Sequence, residues 1–238
     1  PKTDAAFLYG LIHVLLHEMP REKLDVPFLK QHTGSPYLIG PNGFYLRDPA
    51  TSRPLLWDTL SNPAVPFDTP DTDPALDGSF TLDAIEVGAD EETWTHRGLT
   101  AETAFGKLVA RVKPYTPEWA EKTCDVREGT VRRIAAEYVE HAQVGATVEI
   151  DGETLPYRPV AIQFGRTVNN GWGAYECCWA RTLMACLIGG LEVPGGTLGT
   201  TVRLNRPATT RQASVKINED GFMYYPKNPT DKGKRAAP

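Results

Sequence analysis

Gly165, Arg166, Thr167, Asn169, Asn170 and Gly171 lie within one short stretch, between an apolar run and a helical one. These residue types suit phosphate chemistry. Where a strand turns into a helix, backbone N–H groups converge and the helix N-terminus favours negative charge. Gly165 and Gly171 let the main chain approach a ligand closely. Arg166 offers a planar fork for phosphate oxygens. Asn169 and Asn170 tolerate left-handed backbone and present amides to a base or ribose. The spacing excludes two familiar patterns. G-x-G-x-x-G fails because Gly171 and Gly173 are followed by Glu176, and no Gly-Lys-Ser/Thr occurs. On residue types alone two readings stand: a ligand-binding turn, and a tight turn that needs glycine only for its geometry.

A second stretch bears on that choice. Thr3 or Asp4 can cap a helix in which Leu8, Leu11, Ile12, Leu15 and Met19 recur at helical spacing. An acidic side chain at a helix entrance can also accept two N–H donors from a guanine edge. Taken alone, a plain N-cap is the favoured reading.

Together the two stretches resemble the molybdenum and tungsten oxidoreductases of the dimethyl sulfoxide reductase family. That family carries a Pro-Gly-Thr-Asp-Ala-Ala-Leu run opening a helix, which stands here as Pro1-Lys2-Thr3-Asp4-Ala5-Ala6-Phe7 with Lys2 in the place of glycine. Its Gly-x-x-x-x-Asn-Gly turn, apolar helix and Gly-x-Pro-Gly-Gly loop stand as Gly165 to Gly171, Trp172 to Gly190, and Glu192-Val-Pro-Gly-Gly196. The segments 115–121 and 130–135 are similar too, and residues 58–98 match least. The resemblance implies molybdopterin guanine dinucleotide with molybdenum or tungsten. Asp4 would take the guanine edge, and Thr3 would support its loop. Gly165, Arg166, Thr167, Asn169, Asn170 and Gly171 would surround the phosphates and neighbouring atoms. It implies no metal ligand and no catalytic residue in this chain. An iron–sulfur cluster would belong to an absent N-terminal part. The implied partners are the remainder of the catalytic subunit, together with an iron–sulfur electron-transfer subunit. On its own the chain should be inactive.

These residues need a scaffold. The 238-residue chain can bury a sizeable core, and its net charge of −5 comes with no basic stripe, which argues against nucleic acid. Lys232-Gly-Lys-Arg235 is the only basic cluster. No apolar run is long enough to span a bilayer. The chain starts at Pro1, in mid-motif, and this predicts a piece of a longer protein. Localisation, cytoplasmic or periplasmic, is therefore not read.

Cys124, Cys177, Cys178 and Cys186 form no C-x-x-C pair, so they read as small packing residues. His13 and His17 are one helical turn apart, but sequence places no third ligand. They read as structural.

The predicted fold class is α/β: a Rossmann-like parallel sheet flanked by helices, with hairpin and loop insertions. An α/β domain covers residues 1–200, interrupted by a Pro/Asp-rich insertion at 41–98, and a polar extension covers 201–238. Helices are expected at 4–18, 26–31, 101–112 (capped by Thr100), 117–123 (capped by Thr116), 127–142 and 172–190. Strand character marks 36–40, 43–46, 54–57 and 80–85. Residues 58–77 read as a long surface excursion. A hairpin with an Asp-Gly turn is expected at 146–155, and a buried strand at 159–164. Two further functions remain open from sequence: a non-catalytic nucleotide-binding accessory subunit, and a truncated inactive gene product.

Overall fold

The computed structural model describes residues 2–82, 85–89, 92–96, 98–163, 165, 173–197, 216–217 and 223–224. The chain divides into two compact units, residues 1–197 and 198–238. In the second unit, β10 (Lys216–Ile217) pairs antiparallel with β11 (Met223–Tyr224). Everything below concerns the first.

Its centre is helix α1, Asp4–His13, which runs into a π-helical turn, Val14–Glu18, before Pro20 stops it. The spacing of Leu8, Leu11, Ile12 and Leu15 dictates this, because all four face inward and are at most 5% exposed. Around α1 pack α3 (Ala104–Val112), α4 (Pro117–Cys124), α5 (Thr130–Ala142) and α6 (Ala174–Leu187). Their apolar faces form one buried cluster that includes Phe105, Val131, Ala135, Met184 and Leu187. Gly10 allows the close approach of α1 to α4. A Cβ built there would stand 2.5 Å from the Ala120 Cβ. Helix α2, Val26–His32, is capped by Asp25, whose carboxylate accepts the Phe28 N–H at 3.0 Å.

The helix expected at 101–112 starts later. Thr100 lies in a strand, and Thr103 is the cap, accepting the Gly106 N–H at 3.1 Å. The Thr116 cap stands as expected, with Pro117 at the first helical position.

Between α2 and α3 the chain forms small antiparallel sheets. β1 (Leu38–Ile39), β7 (Leu99–Thr103) and β4 (Ser79–Leu82) make one, in the order β1-β7-β4. β2 (Leu55–Trp57) pairs with β3 (Ala64–Pro66), and β5 (Ile85–Ala89) with β6 (Glu92–His96). Leu38, Leu46, Leu55, Leu82, Leu99 and Ala101 close a second, smaller core. The expected excursion thus contains an edge strand, β3. Its order comes from Asp58, 2% exposed, whose carboxylate accepts the N–H groups of Leu60, Ser61 and Asp73 and the Ser61 hydroxyl. Those hydrogen bonds, that of the Ser61 hydroxyl foremost, hold its carboxyl down at about 2.

β8 (Thr147–Ile150) and β9 (Glu153–Pro156) form the expected hairpin. Asp151 and Gly152 take φ of +52° and +83°, as a type I′ turn requires.

The buried strand expected at 159–164 is not found among the described residues of that range, 159–163. Residues 158–163 run without a paired neighbour among the described residues, and Ala161 and Gln163 are exposed. Val160 and Ile162 still pack against the main core, so the side-chain alternation of a strand is present without its ladder. Pro159 removes one donor, and the main chain is held by arginine side chains instead. Every paired strand described is antiparallel, and the one parallel contact described is the bridge between Leu191 and Thr197. The mixed α/β class holds. The Rossmann-like parallel sheet is not found among the described residues.

Candidate functional site

Thr3 occupies the N-cap position of α1, yet its side chain makes no capping hydrogen bond. The first turn therefore keeps its N–H groups uncapped by any side chain, with Asp4 exposed beside them. No described residue forms a hydrogen bond or ion pair with the Asp4 carboxylate. The plain capping role that sequence favoured is absent. Lys2, which stands where the resemblance has glycine, holds φ +67°, a left-handed value that favours glycine. The Thr3 carbonyl accepts the Cys124 thiol at 3.3 Å, which ties this entrance to the end of α4.

Thr3 and Asp4 line a pocket of about 340 Å³, together with Phe7, Leu8, Cys124, Val126, Ile162 and Gln163. Its size lies in the range typical of small-molecule sites. Its lining combines an acidic residue at a helix N-terminus, the apolar Phe7, Leu8, Val126 and Ile162, and the polar Gln163. Gly165, two residues past Gln163, is exposed. Sequence expectations for Arg166, Thr167, Asn169, Asn170 and Gly171 fall outside the described residues. A larger groove of about 530 Å³ runs between residues 19–23 and α5, and it carries none of the residues flagged in the sequence.

Electrostatics around the pocket favours neutral thiols. Burial, reinforced by the nearby Asp4 charge, pushes the Cys177 thiol up to about 11. Burial raises Cys186 as well. Both suit packing residues better than thiolate ligands. The His13 and His17 rings lie 4.7 Å apart, tilted by 34°, and both reach the last turn of α3. His17 Nε2–H donates to the Val109 carbonyl at 2.9 Å, and His13 Nδ1–H to that of Val112 at 3.3 Å. Burial lowers the His17 pKa, and His13 and Lys113 oppose its charge too. They close a helix end.

Three residues that sequence reasoning missed hold the site's frame. Arg158 is 4% exposed and pairs with Asp25 at 2.6 Å. It also donates to the carbonyls of Ile188, Ala146 and Tyr157. Its own N–H meets the Pro194 carbonyl at 3.1 Å. It thus joins α2, the end of α6, the β8–β9 hairpin and the 191–197 loop. A charged residue heading an apolar run was the available signal. Glu121, 4% exposed, accepts the Val131 N–H at 2.9 Å and so caps α5 from α4. Arg181 donates from Nε to the Ile162 carbonyl at 2.9 Å. The Glu192–Gly196 motif forms a closed loop, with the Thr197 N–H on the Gly190 carbonyl at 2.7 Å. Gly196 is needed there, since a Cβ would stand 2.3 Å from that same oxygen.

The sequence is similar to the alpha chain of the chlorate reductase of Ideonella dechloratans, 29% identical over 140 residues. That match covers 56% of this chain and 15% of the relative. It is also similar to a subunit of the sulfite dehydrogenase of Allochromatium vinosum, 23% identical over 220 residues, 82% of this chain and 21% of the relative. The chain spans about a fifth or less of the length of the curated relatives it matches. No family model matches it. Both relatives belong to oxidoreductases by name, which supports an oxidoreductase of that general kind. Among the described residues, no helix is long and apolar enough to cross a membrane.

Proposed function

We propose that this chain is part of a molybdenum or tungsten bis-molybdopterin guanine dinucleotide oxidoreductase and contributes one wall of its cofactor site. The observation that carries this reading is the pocket that sets Asp4 and the uncapped start of α1 beside Ile162 and Gln163, shortly before the glycine- and asparagine-rich sequence 165–171. The residues fit a guanosine end. A carboxylate with no partner among the described residues accepts from the purine's N–H edge, and Phe7, Leu8 and Val126 supply apolar walls. Thr3 shapes the entrance. Arg166, Thr167, Asn169 and Asn170, with the main chain at Gly165 and Gly171, take the phosphates. In this reading residues 158–163 gain a parallel neighbour from the remainder of the catalytic subunit, completing a Rossmann-like sheet.

When bound, the cofactor supplies the redox chemistry; the protein binds, orients and excludes water. This chain's residues act only in binding and orientation. An iron–sulfur cluster and an iron–sulfur electron-transfer subunit belong to the same proposal, outside this chain. Both relatives are named for a small oxyanion, chlorate or sulfite, and we extend that substrate class to the whole protein.

The experiment is cofactor content in the whole protein for wild type, Asp4→Ala and Arg166→Ala, read beside the melting temperature of the cofactor-free form. Each variant should lower cofactor retention, because a charge-assisted hydrogen bond of this kind contributes roughly 1.5–3 kcal/mol, about one to two decades in affinity. Arg166→Lys should recover only part, since a point charge cannot reproduce the fork. Unchanged occupancy in a variant removes that residue from the site. Loss of melting temperature in the cofactor-free variants, with occupancy unchanged, makes the role structural.

A further inference from the structure

We propose that Arg181 is a positioning residue for the pocket, an inference that rests on the pocket reading above. Residues 158–163 carry one pocket wall, Ile162 and Gln163, yet no described strand pairs with them. A segment of this kind would be free to slide along the core unless something fixes its main chain. Arg158 fixes one end, through Asp25 and the carbonyls of Ala146, Tyr157 and Ile188. Near the other end the single side chain that reaches the main chain, among the described residues, is Arg181 on α6.

Its Nε–H meets the Ile162 carbonyl at 2.9 Å, across nineteen residues of sequence. That carbonyl belongs to a pocket-lining residue and immediately precedes Gln163. The bond therefore sets how far Gln163 stands from Asp4 in the pocket that both line. The direction of the bond is fixed, because Nε–H lies in the rigid plane of the guanidinium. Arg181 is itself partly buried. Its charge acts on the buried Tyr138 phenol of α5, opposing the upward push of burial there. Arg181 thus stands between the helical core and the pocket wall and holds a main-chain carbonyl of that wall.

The test compares Arg181→Ala and Arg181→Lys with wild type in the full 238-residue chain, by two readouts. The first is amide hydrogen exchange. In Arg181→Ala, the amides between Val160 and Gly165 should exchange about two- to tenfold faster, as expected for one lost hydrogen bond. Those of α4 and α5 should keep wild-type protection. Arg181→Lys should restore part of the difference. Unchanged exchange at 160–165, or an equal rise throughout residues 1–197, overturns the proposal. The second readout is titration with guanosine 5′-diphosphate. Weaker binding by Arg181→Ala, about two- to tenfold, supports the positioning role; equal affinity for wild type and Arg181→Ala overturns it. If wild type itself does not bind this probe, the pocket reading fails, and the exchange comparison still decides whether Arg181 holds the segment.

Discussion

The helical layer around α1 and the β-rich stretch between α2 and α3 are held together in different ways. In the β-rich stretch, turns are closed mainly by carboxylates a few residues away, with the Asp73 N–H on Asp58 the longer reach. Asp58 serves Leu60 and Ser61, and Asp48 serves the Thr51 N–H at 2.9 Å. In the helical layer, Thr103 and Thr116 cap the starts of α3 and α4 locally, but other chain ends are closed by side chains further off in sequence. Glu121 caps α5, His13 and His17 close α3, and Arg158 closes α6. The candidate pocket belongs to the second kind, with walls contributed by α1, the end of α4 and residues 162–163. Local closure makes a stable surface feature. Remote closure makes a frame that can hold a ligand between elements.

If that contrast is right, the largest loss should come from Arg158→Ala. The variant leaves the partly buried Asp25 without its ion-pair partner and removes the side-chain links to α2, the end of α6 and the start of the β8–β9 hairpin at once, at a cost of about 3–5 kcal/mol. Thermal melting should fall strongly, and Arg158→Lys should recover only part. A loss under about 1 kcal/mol, the ordinary range for an exposed ion pair, would break the comparison.

A smaller effect is expected from Gly10→Ala. Alanine improves helix propensity by about 1 kcal/mol, but overpacking a tight contact typically costs about 1–3 kcal/mol. Here the new methyl would meet the Ala120 Cβ at 2.5 Å, and neither atom can move without its helix. A net destabilisation of about 1 kcal/mol follows, measured by denaturant unfolding. A stabilised variant would show that α1 and α4 do not approach this closely.

The smallest effect concerns pH and sharpens the contrast from the other side. Asp58 has its carboxyl lowered from 3.8 to about 2. Its stabilising contribution is complete above the unfolded value and is lost as pH falls through about 2. Between pH 7 and 5 nothing should change. Below pH 4, residues 58–73 should lose exchange protection in step with protonation of that carboxyl. Loss of protection already near pH 5 would mean that Asp58 does not organise the loop.

The same contrast explains what was legible in the sequence. Local signals read well. Pro117 after Thr116, the Asp151-Gly152 turn and the inward stripe of α5 each depend on neighbours within a few residues. Thr100 misled because Thr103, three residues on, is an equally good cap and β7 occupies the intervening positions. Residues 159–164 misled because an apolar alternating run specifies an inward face but not a pairing partner. Arg158, Glu121 and Arg181 were not assigned, because their partners lie 133, 10 and 19 residues away. Asp4 was visible as a residue type, whereas Gln163 was not singled out. That they line one pocket depends on α1 and α6 packing side by side.

The central claim is that Asp4 reads a guanine edge in the pocket it lines with Ile162 and Gln163. The most direct measurement is the affinity of the chain for guanosine, inosine and adenosine diphosphates, in wild type and Asp4→Asn. Guanine offers the carboxylate two N–H donors, hypoxanthine one and adenine none in that arrangement. Wild type should therefore bind the three in that order, with about one to two decades between guanosine and inosine for one charge-assisted hydrogen bond. Asp4→Asn should flatten the order. Equal affinities for all three nucleotides in wild type, or an order unchanged in Asp4→Asn, would contradict the assignment.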